Sequence, residues 1–161
     1  MDKMGTKRFI KIGIVVSDIE DAARRYGELF NLDKIPEAHD YEPAKGAPPK
    51  TFQKYLGKED FVTLKYAIID VEPVYIELVQ PTGDKPSPWR TFLDRNGPGV
   101  ATITFLVDGQ YEEHIDMMEK AGYPVIFQQE KGTERYSYFD TQSLLGVCID
   151  IKERGALEPK E

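Results

Sequence analysis

The sequence predicts an α+β fold in which two βαβββ modules of curved mixed sheet form a cleft. Three observations predict it. A strand–turn–helix pattern opens the chain at residues 9–32, FIKIGIVVSDIEDAARRYGELFNL. The same order of elements returns from residue 100. Each copy is followed by short strands, and the last strand of each carries one inward-facing acid, Glu77 in YIELV and Asp150 in VCIDI. The chain reads as one domain over 1–161, with module one at about 9–80, a linker at 81–99 and module two at about 100–152.

Residues 9–16, FIKIGIVV, are β-branched and apolar, as a central strand requires. Lys11 interrupts the run. Burying an unpaired ammonium is costly, so Lys11 needs a partner or an open site. Ser17 and Glu20 fit a capping box, and Asp18, Glu20 and Asp21 place negative charge at the positive end of the helix that follows. Ile19, Ala22, Ala23, Tyr26, Leu29 and Phe30 share one helical face, and Asn31 suits a left-handed stop.

Residues 33–60 contain Pro36, Pro43, Pro48 and Pro49, which exclude a long helix or a central strand. A short strand is expected at 51–56. The loop, with His39, Tyr41 and Lys45, reads either as a lid over a ligand or as a plain connector. Residues 61–70 and 74–80 form a hairpin turned at Glu72-Pro73. Ser87 at the cap and Pro88 in the first turn start a short helix through Trp89, Phe92 and Leu93, which stops before Gly97-Pro98-Gly99.

Residues 100–107, VATITFLV, are again a strand, and Asp108 and Gly109 turn the chain. Tyr111, Ile115, Met118 and Ala121 mark one face of the next helix, which Gly122 ends. Three strands follow at about 124–128, 134–140 and 146–152, then a polar, frayed tail over 153–161. Aligned copy on copy, Lys11 and Thr102 occupy the same place, an offset of 102 − 11 = 91 residues.

Composition narrows the function. The net charge of −7 argues against nucleic acid and against anionic membrane surfaces, both of which are bound by surplus Lys and Arg. No apolar run is long enough to span a bilayer and no signal core follows the basic start, so a cytoplasmic location is expected. The single Cys148 cannot form an internal disulfide and reads as a buried core thiol. GxSxG, HExxH, P-loop and CxxC motifs are absent.

IGIVVSDIEDAARRYGELFNL, the IELVQP segment at 76–81, SPWRTFLDRNGPGV at 87–100 and LGVCIDI at 145–151 resemble the vicinal oxygen chelate superfamily, which includes glyoxalase I, methylmalonyl-CoA epimerase, extradiol dioxygenases and bleomycin-resistance proteins. The resemblance covers roughly residues 9–154, and the SP…FL…GPGV linker looks most like methylmalonyl-CoA epimerase and its glyoxalase-like neighbours. It implies a divalent metal held by one residue from each of four strands: His on both first strands, and Glu or Gln plus Glu on the two last strands. By position these become Lys11, Glu77, Thr102 and Asp150. Both carboxylates are present and both histidines are replaced. His39 and His114 match neither ligand position.

A cation where the metal should sit disfavours metal binding. At an effective dielectric near 20, unit charges about 4 Å apart interact by roughly 4 kcal/mol, so Lys11 beside Glu77 and Asp150 replaces the ion as a Lys–carboxylate cluster, with no metal and no cofactor expected. The bland reading is a structural ion pair. The functional reading is an epimerase- or racemase-like isomerase that abstracts a proton next to a carbonyl, with Lys11, Glu77 and Asp150 catalytic. His39, Tyr41, Tyr66, Trp89, Thr102 and Tyr138 are the expected substrate-binding residues. The resemblance permits an aromatic, isoflavanone-like ketone or an acyl-CoA thioester as substrate. Two rivals stay open: a metal-free binding protein of the bleomycin-resistance type, and a metal-dependent lyase of the glyoxalase type. A homodimer acting on a small molecule is expected.

Overall fold

A computed structural model describes residues 3–41, 52–131 and 134–154, the side chain of Lys131 excepted. The expectations for Lys45, for residue 51 and for most of the frayed tail lie outside the described residues. In chain order the elements are β1 (Phe9–Val15), α1 (Ile19–Leu29), β2 (His39–Tyr41), β3 (Phe52–Tyr55), β4 (Lys58–Glu59), β5 (Thr63–Ile69), β6 (Tyr75–Thr82), α2 (Pro88–Asn96), β7 (Gly99–Leu106), α3 (Tyr111–Lys120), β8 (Val125–Lys131), β9 (Glu134–Phe139), α4 (Gln142–Leu145) and β10 (Cys148–Glu153). The α+β class and both βαβββ runs are present: β1-α1-β2-β5-β6 and β7-α3-β8-β9-β10.

The chain divides into two compact units, one from residues 10–42 and 62–102, the other from 1–9, 43–61 and 103–161. In the first unit the strand order is β2-β5-β6-β1. β1 and β6 run parallel, while β5 pairs antiparallel with both β6 and β2. The alternation of strand side chains then sorts the residues. Ile14, Val16, Ala67, Ile69, Ile76 and Leu78 pack together with Ile19, Ala22, Ala23 and Tyr26 of α1 into one apolar core. The opposite face carries Lys11, Gly13 and Val15 of β1, and Tyr75, Glu77 and Val79 of β6. Ile68 and Tyr66 of β5 and His39 of β2 continue it.

α1 starts one residue later than a Ser17 cap implies. Asp18 is extended (φ −137°) and its side chain accepts from the Asp21 N–H at 3.0 Å. Glu20 does not return to the cap; it takes the Lys65 ammonium at 2.6 Å instead. A charged partner outcompetes a neutral amide for a carboxylate. Asn31 has the expected left-handed backbone (φ 49°).

In the second unit β10, β9, β8, β3 and β4 follow β7 in that order. α3 covers one face through Tyr111, Ile115 and Met118, against Phe139 and Ile151. The other face carries Asp150 and Lys152, then Tyr138 and Tyr136, then Phe127 and Gln129, then Tyr55 and Gln53, in register across β10, β9, β8 and β3. The strand expected near 51–56 therefore exists as β3, paired to β8. Gln53 Nε2 donates to Gln129 Oε1 at 2.8 Å, and both amides are buried. His114 is more than a surface residue: its two ring nitrogens bond the Gln110 carbonyl at 2.6 Å and the Met4 carbonyl at 2.8 Å. Among the described residues no helix is long and apolar enough to cross a membrane.

Candidate functional site

Lys11 resolves its burial by pairing. Its position is one step diagonal from Glu77, because β1 and β6 register Lys11 with Tyr75 and Gly13 with Glu77. A four-carbon side chain spans that diagonal, and Lys11 Nζ donates to Glu77 Oε1 at 3.1 Å. The lysine side chain is 7% exposed and the glutamate 24% exposed. The amine is thus held inside while one carboxylate edge meets solvent.

Gly13, directly beside Glu77, is there for space. A Cβ on Gly13 would collide with the Thr102 hydroxyl oxygen, so that hydroxyl occupies the place of the missing side chain. Thr102 is itself buried. On the other side of Glu77 stands Ile68, registered with it and 40% exposed. Tyr66 lies one diagonal step further, and His39, registered with Tyr66, brings its ring to 5.5 Å from the phenol ring. Tyr41 registers with Leu64 at the same edge. Trp89 is buried in the first turn of α2, which the Ser87 side chain caps by accepting from the Arg90 N–H at 3.0 Å.

The second unit treats its acid differently. Asp150 is 0% exposed and accepts from the Thr104 hydroxyl at 2.6 Å. Tyr138 is its registered neighbour on β9 and is buried against the Phe127 ring at 5.2 Å. The two acids differ in burial: Glu77 is about one-quarter exposed beside the Lys11 ammonium, and Asp150 is enclosed and accepts from the Thr104 hydroxyl. Nearby Cys148 is buried; burial, with the Asp150 charge adding to it, pushes its thiol up to about 12, so it is protonated and inert at neutral pH. Tyr111, whose hydroxyl bonds Ser137, is likewise raised, first by burial.

The structure brings Lys11, Glu77, Tyr66 and His39 onto one strand face; His39, expected in a loop, lies on β2. Thr104, Ile68 and the Gln53–Gln129 pair were not singled out. Thr104 was readable, because it lies two residues beyond Thr102 on the same strand. The Gln pair depends on β3 joining β8, a pairing over 76 residues that no local pattern signals.

The four positions of the family's metal do not fit a divalent ion. One is an ammonium already bonded to one of the two carboxylates, another is a threonine, and the second carboxylate is held by Thr104. Among the described residues no three His, Cys, Asp or Glu side chains are grouped to hold a metal.

The family model of the glyoxalase/bleomycin resistance protein/dioxygenase superfamily matches residues 11–139. The chain belongs to that superfamily. No curated protein matches the sequence. Among solved structures, methylmalonyl-CoA epimerase from Mycobacterium tuberculosis is similar at TM-score 0.64 and 17% identity, covering 96% of this chain and 93% of that one. A methylmalonyl-CoA epimerase in complex with methylmalonyl-CoA and NH4+ gives TM-score 0.63 and 18% identity over 97% and 100% of the two chains. A hypothetical protein from Bacillus halodurans C-125 gives TM-score 0.62 and 20% identity over 96% and 97%. At these identities the likeness shows the glyoxalase-like fold.

Proposed function

We propose that this superfamily member is an epimerase- or racemase-type isomerase that removes a proton from the carbon beside a carbonyl, in a ketone or a thioester. The observation that carries the reading is the Lys11–Glu77 pair at 3.1 Å on a strand face, with the acid open to solvent and the ammonium enclosed. Glu77 takes the α-proton, the C–H electron pair forms the carbon–carbon double bond of the enolate, the carbonyl π pair moves onto oxygen, and the Lys11 ammonium donates a hydrogen bond to the enolate oxygen so formed. Glu77 then returns a proton to carbon. Inversion additionally requires a donor on the opposite face of the enolate. The epimerases that share the fold support the reaction class.

A second reading is non-catalytic capture of a small molecule, favoured by the exposed Ile68 and the His39–Tyr66 ring pair. Incubation in deuterated water with an α-substituted ketone and with an acyl-CoA thioester separates the two. The isomerase incorporates deuterium at the α-carbon of at least one, and Glu77→Gln abolishes the incorporation. Binding without exchange establishes capture and overturns the isomerase.

A further inference from the structure

We infer that Tyr75 is the acid that protonates the opposite face of the enolate, so that the reaction inverts the α-carbon; the inference rests on the proton-abstraction reading and names a further catalytic residue for that same site. β1 and β6 register Lys11 with Tyr75, and Tyr75 stands two residues before Glu77 on β6. Ile76, between them, packs into the apolar core with α1. Alternation along the strand therefore puts half-buried Tyr75 on the same face as Glu77 and Lys11. The Lys11 side chain starts level with Tyr75 and ends with Nζ 3.1 Å from Glu77 Oε1. Its ammonium thus lies along the gap between residues 75 and 77.

That gap has the width of a planar group. Two residues of a strand advance about 6.6 Å, so a trigonal carbon midway has a side chain about 3.3 Å away on either side, the separation at which reacting atoms meet. An enolate standing on edge there presents one face to the carboxylate and the other to the phenol, with its oxygen on the ammonium. Other positions around Glu77 on these strands offer no proton to carbon. Gly13 and Ile68 are registered with it, Val79 follows it on β6, and Val15 is diagonal to it. Tyr66 carries a hydroxyl, but on β5 it lies across β6 from Lys11, away from the oxygen that the ammonium holds.

The step balances as follows. Glu77 takes the proton of the α-C–H bond, and the enolate forms. The enolate oxygen then re-forms the carbonyl, and the carbon–carbon π pair bonds the phenol proton on the face away from Glu77. The Tyr75 O–H bond breaks, and its electron pair stays on the phenolate, beside the Lys11 ammonium. Water removes the proton from Glu77, which is about one-quarter exposed, and water returns one to the phenolate.

The test uses the separate α-epimers of 2-methyl-1-tetralone, a ketone, and of methylmalonyl-CoA, a thioester. Each is incubated in deuterated water with the parent and with Tyr75→Phe, which keeps the ring. Inversion is read by chiral chromatography and α-deuterium by mass spectrometry. With the probe that the parent exchanges, Tyr75→Phe is expected to slow inversion at least about 100-fold in both directions. Incorporation should stay within about threefold of the parent for the epimer whose α-hydrogen faces Glu77, and fall with inversion for the other. A merely structural role would slow both epimers alike, so equal loss of incorporation overturns the inference, as does undiminished inversion. Incorporation without inversion in the parent, or epimer-selective loss in Tyr66→Phe and not in Tyr75→Phe, also overturns it and leaves proton abstraction standing. No incorporation into either probe by the parent overturns proton abstraction and this inference together.

Discussion

Lys11→Met keeps the length and apolar stem of the side chain while removing its charge, so it isolates the ammonium. At 3.1 Å and an effective dielectric of about 20, the attraction it contributes to Glu77 is about 5 kcal/mol. Not all of that is lost on substitution. Glu77 is about one-quarter exposed, so water re-solvates part of it. Breaking a fully buried pair costs about 3–5 kcal/mol, and a net loss of about 2–3 kcal/mol is expected here. Urea unfolding of the parent, Lys11→Met, Glu77→Gln and the double variant measures it as a cycle. The double variant should be more stable than the two single losses summed, with a coupling of at least about 1 kcal/mol. In the deuterium assay Lys11→Met should slow α-exchange by about 10²–10³-fold, the usual cost of removing one donor to a developing oxyanion. The double variant should be no slower than Glu77→Gln alone, because the pair acts as a unit. Additivity in the unfolding cycle, or undiminished exchange in Lys11→Met, would refute the reasoning.

Gly13→Ala should destabilise by about 1–3 kcal/mol, because its new methyl overlaps the Thr102 hydroxyl; in a Thr102→Ala background the nearest remaining atom, the residue-102 Cβ, is at 3.5 Å and the penalty should vanish, as thermal melts of the two Gly13→Ala proteins will read. Cys148 should leave a pH signature on stability. Its thiol titrates near 9 when unfolded and near 12 when folded, so between those values unfolding releases a proton and stability falls as pH rises, by about 1.4 kcal/mol per unit. Urea midpoints at pH 8, 9, 10 and 11 should drop above pH 9, and Cys148→Ala should flatten part of that slope. A thiol reagent should leave the native protein unlabelled at pH 8, and prompt labelling would contradict the burial.

Much of the architecture was legible because it is written locally. Ile19, Ala23 and Tyr26 repeat at helical spacing and do face the core, and Ser87-Pro88 starts α2 as its chemistry dictates. The Lys11–Glu77 contact was legible because a charge in a β-branched strand demands a partner, and the family resemblance put Glu77 at a neighbouring position of the same site. The capping residue was misplaced by one because Ser17 and Asp18 are both good acceptors, and backbone geometry chose between them. The unequal burial of Glu77 and Asp150 was not legible, because it depends on what lies over each acid and not on the acid itself. Two-residue β4 and four-residue α4 were too short to leave a periodic trace.

The attachment of β3 to β8 also sets a limit on dissection. A fragment carrying only the later repeat would keep α3 and its core yet strip one flank of β8, leaving a row of unsatisfied backbone groups and removing the Gln53 donor to Gln129. Such an edge invites sticking to other chains. Two halves that read as duplicates are therefore not interchangeable parts: the later one borrows a strand encoded some seventy residues upstream, and any attempt to express it alone must carry that strand along.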